Sequence, residues 1–460
     1  MTDPDTAAPT RHLSISYVVL IAVGMVVGAG IFKSPALVAQ NVGTPLAVYG
    51  VWIFGGLITM IGALCYSELS TAYPHAGGDY HFLTKAYGTT FGFSFAWARF
   101  AIINTGSIAL LGFVIGDYLN LVWNLGPHGP ALYAFGAVVI MTAFNLRGTQ
   151  GGVAADYVIT CLEVLGLLML AAAAAWLVLQ AIPPTTIGSG NPPDLAGVGY
   201  GLVFVLLAFG GWSEMATLSA EIKITRNGPN QSMVIALVSA VAIITALYLL
   251  ANWALLRGLG IEGLARSETP AADLMVRAFG PDAGILLAIG VAAAAITSIN
   301  GTMIVGARTT YAAAHDREAF SWIATWDRAR GIPSQAFLAQ GAVSIALVAL
   351  GAFYHGFATL VDYTAPVYWA YLTASGLAVI RLRQTQPHFS RPFKVPFYPF
   401  LPLFFAASSA AMLWSSLNYV KVGALFGVGV VAVGIGLALI TKPLKVKMMK
   451  STGQNTNKPV

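Results

Sequence analysis

Charge is scarce in this chain. Of its 460 residues only 9% are Asp, Glu, Lys or Arg, against 57% hydrophobic, and the mean hydropathy is +0.74. A soluble protein of this length could not bury so much apolar surface, so lipid is the solvent for most of it. Cysteine is nearly missing. Cys65 and Cys161 both lie in apolar runs and read as buried thiols, which argues against a disulfide framework. The first dozen residues, MTDPDTAAPTRH, have neither the basic start nor the cleavage site of a signal peptide, so the first apolar run is expected to be retained. A P-loop is absent, which leaves ATP-driven pumping unsupported. No Ser/His/Asp set or HExxH motif lies at a plausible depth, and no soluble domain is inserted, so the chain is not expected to be an enzyme. The seven histidines show no ligand spacing, and no metal or other cofactor is assigned.

Long apolar runs are what the chain does have. They lie near 14–39, 45–67, 91–119, 130–146, 153–179, 198–222, 232–256, 283–307, 335–353, 357–380, 399–417 and 423–440. About 20 apolar residues suffice to cross a bilayer. The expected fold is therefore an all-α polytopic membrane protein with twelve transmembrane helices. The short fourth run and the close ninth and tenth leave eleven as the other count. Residues 13–440 form the transmembrane domain, 1–12 a cytoplasmic N-terminal tail and 441–460 a cytoplasmic C-terminal tail. With both termini inside, the inner segments collect Arg11, Lys85, Arg147, Lys223, Arg226, Arg308, Arg317, Arg328, Arg330, Arg381, Arg383, Arg391 and Lys394, besides the lysines of the tail. The outer loops keep only Arg257, Arg266, Arg277 and Lys421. Basic residues crowd the cytoplasmic side, so the net charge of +6 reports topology in the cell inner (plasma) membrane and gives no reason to invoke nucleic acid. The outer stretch 257–282 is expected to carry a short surface helix, and HAGGDYHFLTKAYG (75–88) a short interfacial or re-entrant one.

Two of the runs contain weak points. The first has Gly28, Ala29 and Gly30 at its centre, and the sixth has Gly210 and Gly211. Packing explains part of this, because Gly24 and Gly28 form a GxxxG pair. Gly28 and Gly30 point to different sides of a helix, however, so one packing face cannot account for both. Unwinding in lipid costs several kcal/mol per unpaired backbone group, and persists where something else satisfies those groups. A carboxylate suits the free N–H groups and positive dipole end of the following half-helix. Unwound carbonyls near Val26 and from Leu207 to Gly210 suit an ammonium. Interrupted helices at corresponding places in two halves point to a transporter's binding site. Two inverted five-helix repeats, about 13–180 and 198–382, followed by two extra helices at 399–440, fit the count.

Five stretches also carry a family resemblance: GAGIFKSPALVA, GALCYSELSTAYPHAGGDYHFLTKAYG, FGGWSEMATLSAEIK, ITSINGTMIVGARTTYAAAHD and RPFKVPFYP. In order, from about residue 14 to 440, they resemble amino acid permeases of the amino acid–polyamine–organocation superfamily, most closely its L-amino-acid-transporter-like branch. The resemblance implies the inverted five-plus-five fold with substrate held between the first and sixth helices. It implies carboxylate contacts around Gly28, Ala29 and Gly30, and amine contacts from carbonyls at Val26, Leu207, Ala208 and Gly210. Ile31 and Phe209 complete the expected substrate-binding stretches. Many relatives place an aromatic gate where this chain has Leu207, with Phe204 and Phe209 nearby. Several carry a lysine in the fifth helix where Glu163 stands here, a reversal of charge.

Glu163 lies roughly 16 Å along its helix, near the midplane. A charge there costs about 2.5–3.5 kcal/mol or more, so it is expected to face a partner or a cavity. It reads either as a protonated, hydrogen-bonded structural acid or as a coupling site. As a coupling site it would load a proton, or hold Na⁺ with oxygens from Thr297 and Ser298. Arg99 and Glu214 sit at similar depth on the inner side and are candidates for a latch, with snorkelling of Arg99 as the alternative. Lys33 either lines the outer vestibule or snorkels. Asn104 either reaches the substrate or makes an interhelical polar contact. Asp362 is expected near the outer interface, and Glu68 in a structural role.

The expected function is secondary transport by alternating access, with proton-coupled uptake of a neutral L-amino acid ahead of exchange or Na⁺ symport. A nutrient sensor that binds without flux is the reading from another class. A channel would need a ring of filter residues, which is missing. The expected partners are the small-molecule substrate and membrane lipid, and no obligate protein partner is inferred.

Overall fold

The computed structural model describes residues 14–441, apart from 76, 149–152, 186–193, 221–228, 316, 354–355 and 421–423. The N-terminal tail and residues 442–460 therefore lie outside the described residues, as do Lys223, Arg226 and Lys421.

Among the described residues the chain is helical without a β-strand, and the one bridge outside helices joins Asp327 to Ile332. α1 (Ile15–Val26) starts where Ser14 Oγ accepts from the Tyr17 amide at 3.3 Å. A single tight turn, Ala29–Phe32, separates it from α2 (Ser34–Val42). Gly43, at φ 67°, ends α2, and Thr44 with Pro45 opens α3 (Pro45–Ala72). α4 (Asp79–Tyr87) is a short amphipathic helix with Asp79 in its first turn. α5 (Thr89–Ala98) and α6 (Asn104–Val122) form one long rod joined by a five-residue stretch of π-helix, Arg99–Ile103. α7 (Gly129–Leu146) and α8 (Val153–Leu179) follow.

α9 (Leu195–Ala208) is capped by Asp194, which accepts from the Gly197 amide at 2.6 Å, and it gives way to a tight helical segment, Trp212–Ala220. α10 (Pro229–Arg266) is kinked at Gly260, so it runs well past the stretch 232–256 expected from hydropathy. α11 (Pro270–Phe279) is a short helix within 257–282, where one was expected. The rest of the chain forms α12 (Pro281–His315), α13 (Ser334–Ala352), α14 (Phe357–Thr385), α15 (Phe400–Val420) and α16 (Ala424–Ile440).

Eight helices among the described residues are long and apolar enough to cross a membrane, and Ile15–Val26, Leu195–Ala208 and Leu425–Ile440 are shorter apolar helices. Their side chains are sorted in the sense that lipid demands. On α8, Leu162, Leu165 and Leu168 are exposed while Glu163 is buried. Cys161 shares the exposed face, which corrects the expectation of a buried thiol; Cys65 is buried as expected. A helix that is apolar all round gives no moment to say which side faces out, so the sequence could not separate the two cysteines.

Candidate substrate site at the two helix breaks

Small residues at the first break admit different neighbours. A Cβ on Gly24 would lie 2.2 Å from Thr160 Oγ1 of α8, and one on Gly28 would lie 2.6 Å from Ser298 Oγ of α12. The GxxxG pair thus packs against two helices rather than one. The helix ends at Val27, and Gly28 turns the chain with φ −58° and ψ −170° before the next turn begins.

At the second break Gly211 adopts φ +103°, where side chains are strained, and a Cβ there would also meet the Met25 carbonyl oxygen at 2.8 Å. The bend of the sixth run is therefore seated on the backbone of the first. The two breaks touch, since a Cβ on Gly30 would come within 3.7 Å of Ala208 Cα.

A residue that the sequence reading passed over ties them together. The Tyr248 hydroxyl, on α10, stands 2.7 Å from the Val26 carbonyl oxygen and 2.9 Å from that of Ala208. A phenol carries one hydrogen, so the two carbonyls share a single donor. Tyr248 is fully buried, with Trp52 edge-on at 5.3 Å and Phe209 at 5.0 Å between ring centroids. The carbonyls expected to receive an ammonium are thus already engaged, each through one of its two lone pairs. Leu207 O accepts from Gly210 N at 2.9 Å within the turn. Embedded in ALYLLANWALL, Tyr248 gives no signal in hydropathy; only its depth near mid-run could have marked it.

Beside the first break stands Glu163. It is buried, its hydrogen-bond partner is the side chain of Thr297, and its Oε2 has no partner. The Thr297 and Ser298 hydroxyls both lie within reach of the Ala294 carbonyl, at 2.7 and 3.1 Å. The structure thus brings Glu163 and Thr297 into contact, and Ser298 against Gly28.

Charged pairs flank the breaks on both sides. Lys33 Nζ lies 2.7 Å from Asp117 Oδ2 and 2.9 Å from the Glu268 carbonyl, so it is paired rather than snorkelling. The Tyr118 hydroxyl donates to Phe32 O at 2.8 Å, and Gln40 Nε2 to Ala265 O at 2.7 Å. On the opposite side Arg99 Nη2 binds Glu214 Oε1, and the Arg99 side chain is only 5% exposed. Snorkelling of Arg99 is thereby replaced by a buried ion pair.

The remaining candidates sit further out. Asn104 is buried against Gly306 of α12 beside Gln340 of α13. Phe204 lines a small cleft with Tyr200, Asp362 and Ser416. Glu68 is a hub. It binds Arg383 through both oxygens, lies 3.6 Å from Arg391, and accepts from Val395 N at 2.7 Å.

Two broken apolar helices thus touch at their breaks, share one hydroxyl and are flanked by ion pairs. The profile of the amino acid permease family matches residues 13–437. The chain belongs to that family. It is similar to the b(0,+)-type amino acid transporter 1 of Homo sapiens, 24% identical over 400 residues that cover 86% of this chain and 80% of the relative. The serine/threonine exchanger SteT of Bacillus subtilis is 24% identical over 410 residues, 88% of this chain and 91% of the relative. The large neutral amino acids transporter small subunit 2 of Oryctolagus cuniculus is 25% identical over 431 residues, covering 91% and 76%. The permease is thus a membrane transporter and not an enzyme.

Proposed function

We propose that the permease carries an L-amino acid across the cell inner (plasma) membrane by alternating access, with both termini cytoplasmic and twelve crossings arranged as two inverted halves plus two extra helices. The observation that carries this reading is the Tyr248 hydroxyl, which joins the carbonyls of Val26 and Ala208 and so puts both breaks around one point. The carboxylate of the substrate meets the backbone of Gly28, Ala29, Gly30 and Ile31. Its ammonium meets the carbonyls at Val26 and from Leu207 to Gly210, competing with Tyr248, while Phe209 and Asn104 shape the pocket. Lys33 with Asp117 closes the outer side, Arg99 with Glu214 closes the inner, and Phe204 supports the gate.

Glu163 has no cation among its described partners, which favours a carboxyl that loads and releases a proton; the substrate in this reading is neutral. Exchange is the second reading, favoured by the name of the Bacillus subtilis relative. The test is uptake of labelled L-serine, L-threonine and L-leucine by proteoliposomes holding this chain alone. Each is run with an inward proton gradient, with a sodium gradient, or with unlabelled substrate inside. Accumulation driven by the proton gradient and lost in Glu163→Gln establishes symport. Uptake that requires internal substrate and ignores both gradients establishes exchange and makes Glu163 structural. Dependence on sodium assigns Thr297 and Ser298 to an ion, and binding without flux establishes a sensor.

A further inference from the structure

The Arg99–Glu214 pair has a third member. Asp79, the first residue of α4, is buried and belongs to neither gate nor substrate site as described above. Its neighbours come from every element packed around it. Tyr66 of α3 shares a hydrogen bond with it, Glu214 and Arg99 act on it through space, and its charge in turn is felt by Tyr368 of α14. Lys85 and Arg381 lie at the other end of α4, where Arg381 binds the Ala86 carbonyl. His81, on the same helix, stacks on His75.

Two carboxyl groups thus act on one guanidinium, with Arg99 and Asp79 buried and the Glu214 side chain 20% exposed. Arg99 Nη2 is taken by Glu214, while Arg99 Nε and Asp79 Oδ1 are buried without a hydrogen-bond partner. With both acids ionised, the cluster would hold two negative charges against one positive, a net charge that is costly to bury. A proton on Asp79 removes the imbalance. When the Arg99–Glu214 pair parts, water enters and the freed guanidinium can serve the Asp79 carboxylate, so the same proton is no longer held.

We propose that Asp79 is a proton-binding site of the inner latch, occupied while Arg99 is bound to Glu214 and emptied when that pair separates. The proposal rests on the latch reading given above and adds to it a bound proton, distinct from the one assigned to Glu163. Burial pushes the Asp79 carboxyl up from the ordinary carboxylate range to about 7, with Glu214 raising it further and Tyr66 and Arg99 opposing. The closed latch therefore binds a proton more tightly than the open one. Acidification holds the latch shut and alkalinisation releases it, across a window centred near neutrality.

The experiment is exchange of labelled L-serine, L-threonine or L-leucine against internal unlabelled substrate, with equal pH on both sides, from about pH 5.5 to 8.5. Wild type is expected to lose rate below neutrality, approaching tenfold per pH unit well below the midpoint. Asp79→Asn, permanently neutral, should run at the slow acid rate with this limb absent, whereas Glu163→Gln should keep the limb. Tyr66→Phe removes a donor to the carboxylate and should move the midpoint to higher pH. Glu214→Gln removes the partner of Arg99, so the latch cannot close and the acid limb should be lost. The Tyr66→Phe shift keeps the proposal testable should Asp79→Asn fail to fold, and a purely structural Asp79 would not produce it. An Asp79→Asn profile that superimposes on wild type, or an unmoved midpoint in Tyr66→Phe, overturns the proposal. The latch reading fails separately: Arg99→Ala would then exchange as wild type at every pH.

Discussion

The hydroxyl of Tyr248 lies 2.7 Å from Val26 O and 2.9 Å from Ala208 O, so one side chain of α10 holds the broken ends of two other helices. Tyr248→Phe keeps the ring against Trp52 and Phe209 and removes only the donor. Two buried carbonyls then lose their shared partner, at about 1–3 kcal/mol for each group left unpaired. We expect uptake in proteoliposomes to fall by about tenfold or more and the melting temperature to drop by a few degrees. Wild-type uptake and stability in that variant would show that the two breaks are held by other means.

The glycines of the two breaks should respond differently to a methyl group. Gly30 has ordinary contact distance to Ala208 Cα, whereas Gly211 has both a positive φ and the Met25 carbonyl 2.8 Å from its would-be Cβ. Gly30→Ala should fold with near wild-type stability, and Gly211→Ala should lower the melting temperature and the yield of monodisperse protein. Gly30→Val, bulkier and β-branched, should abolish transport while folding is retained. Size-exclusion profiles with uptake assays decide it; normal transport by Gly30→Val would rule out a substrate at this point.

Lys33 and Asp117 are each about 15% exposed at the side chain, at 14% and 15%, so their attraction is weakened by nearby water. A double-mutant cycle with Lys33→Gln and Asp117→Asn should return a coupling of about 1 kcal/mol. If the pair closes the outer side, both single variants raise the accessibility of the breaks to impermeant reagents from outside. Unchanged accessibility in both would remove them from gating.

Glu68 carries more structural weight. It is 3% exposed and serves two arginines and the Val395 amide at once. Glu68→Gln strips the counter-charge from Arg383 and Arg391 and should destabilise by about 3–5 kcal/mol, read as lost expression or a large fall in melting temperature. Retained stability would mean that water or lipid phosphate replaces the carboxylate.

His81 supplies a pH-dependent contribution to stability. Burial first, then His75 and Lys85, lower its pKa from 6.5 to about 4. An unfolded chain takes up this proton before the folded one does. Stability is therefore complete above about pH 6.5, declines as pH falls towards about 4, and levels off below it. Melting curves across this range should show the decline for wild type and a shallower one for His81→Gln. Parallel curves would contradict the assignment.

Most of the helical organisation was legible because lipid imposes long apolar runs, and the breaks because one packing face cannot account for both Gly28 and Gly30. What joins distant elements was not. Lys33 meets Asp117 across 84 positions, and Arg99 meets Glu214 across 115. Depth counted along the helices suggested the second pair but not the first. Asp79 reads as an ordinary first-turn acid until α4 is folded against α3 and Arg99. The kink at Gly260 and the π stretch at Arg99–Ile103 left no trace in hydropathy, which does not register a change of helical pitch.

That π stretch has a bearing on lineage. A single residue inserted in a helix turns everything beyond it by about 100°. The half of the rod that carries Asp117 and Asn104 and the half that presents its aromatic face at Phe95 are thereby phased independently. A homologue lacking the extra residue would need a one-position gap inside a membrane-embedded helix to be aligned faithfully. Without that gap, every position between here and the next loop would be compared with a neighbour that faces elsewhere, and Arg99 would be matched to the wrong residue in its kin.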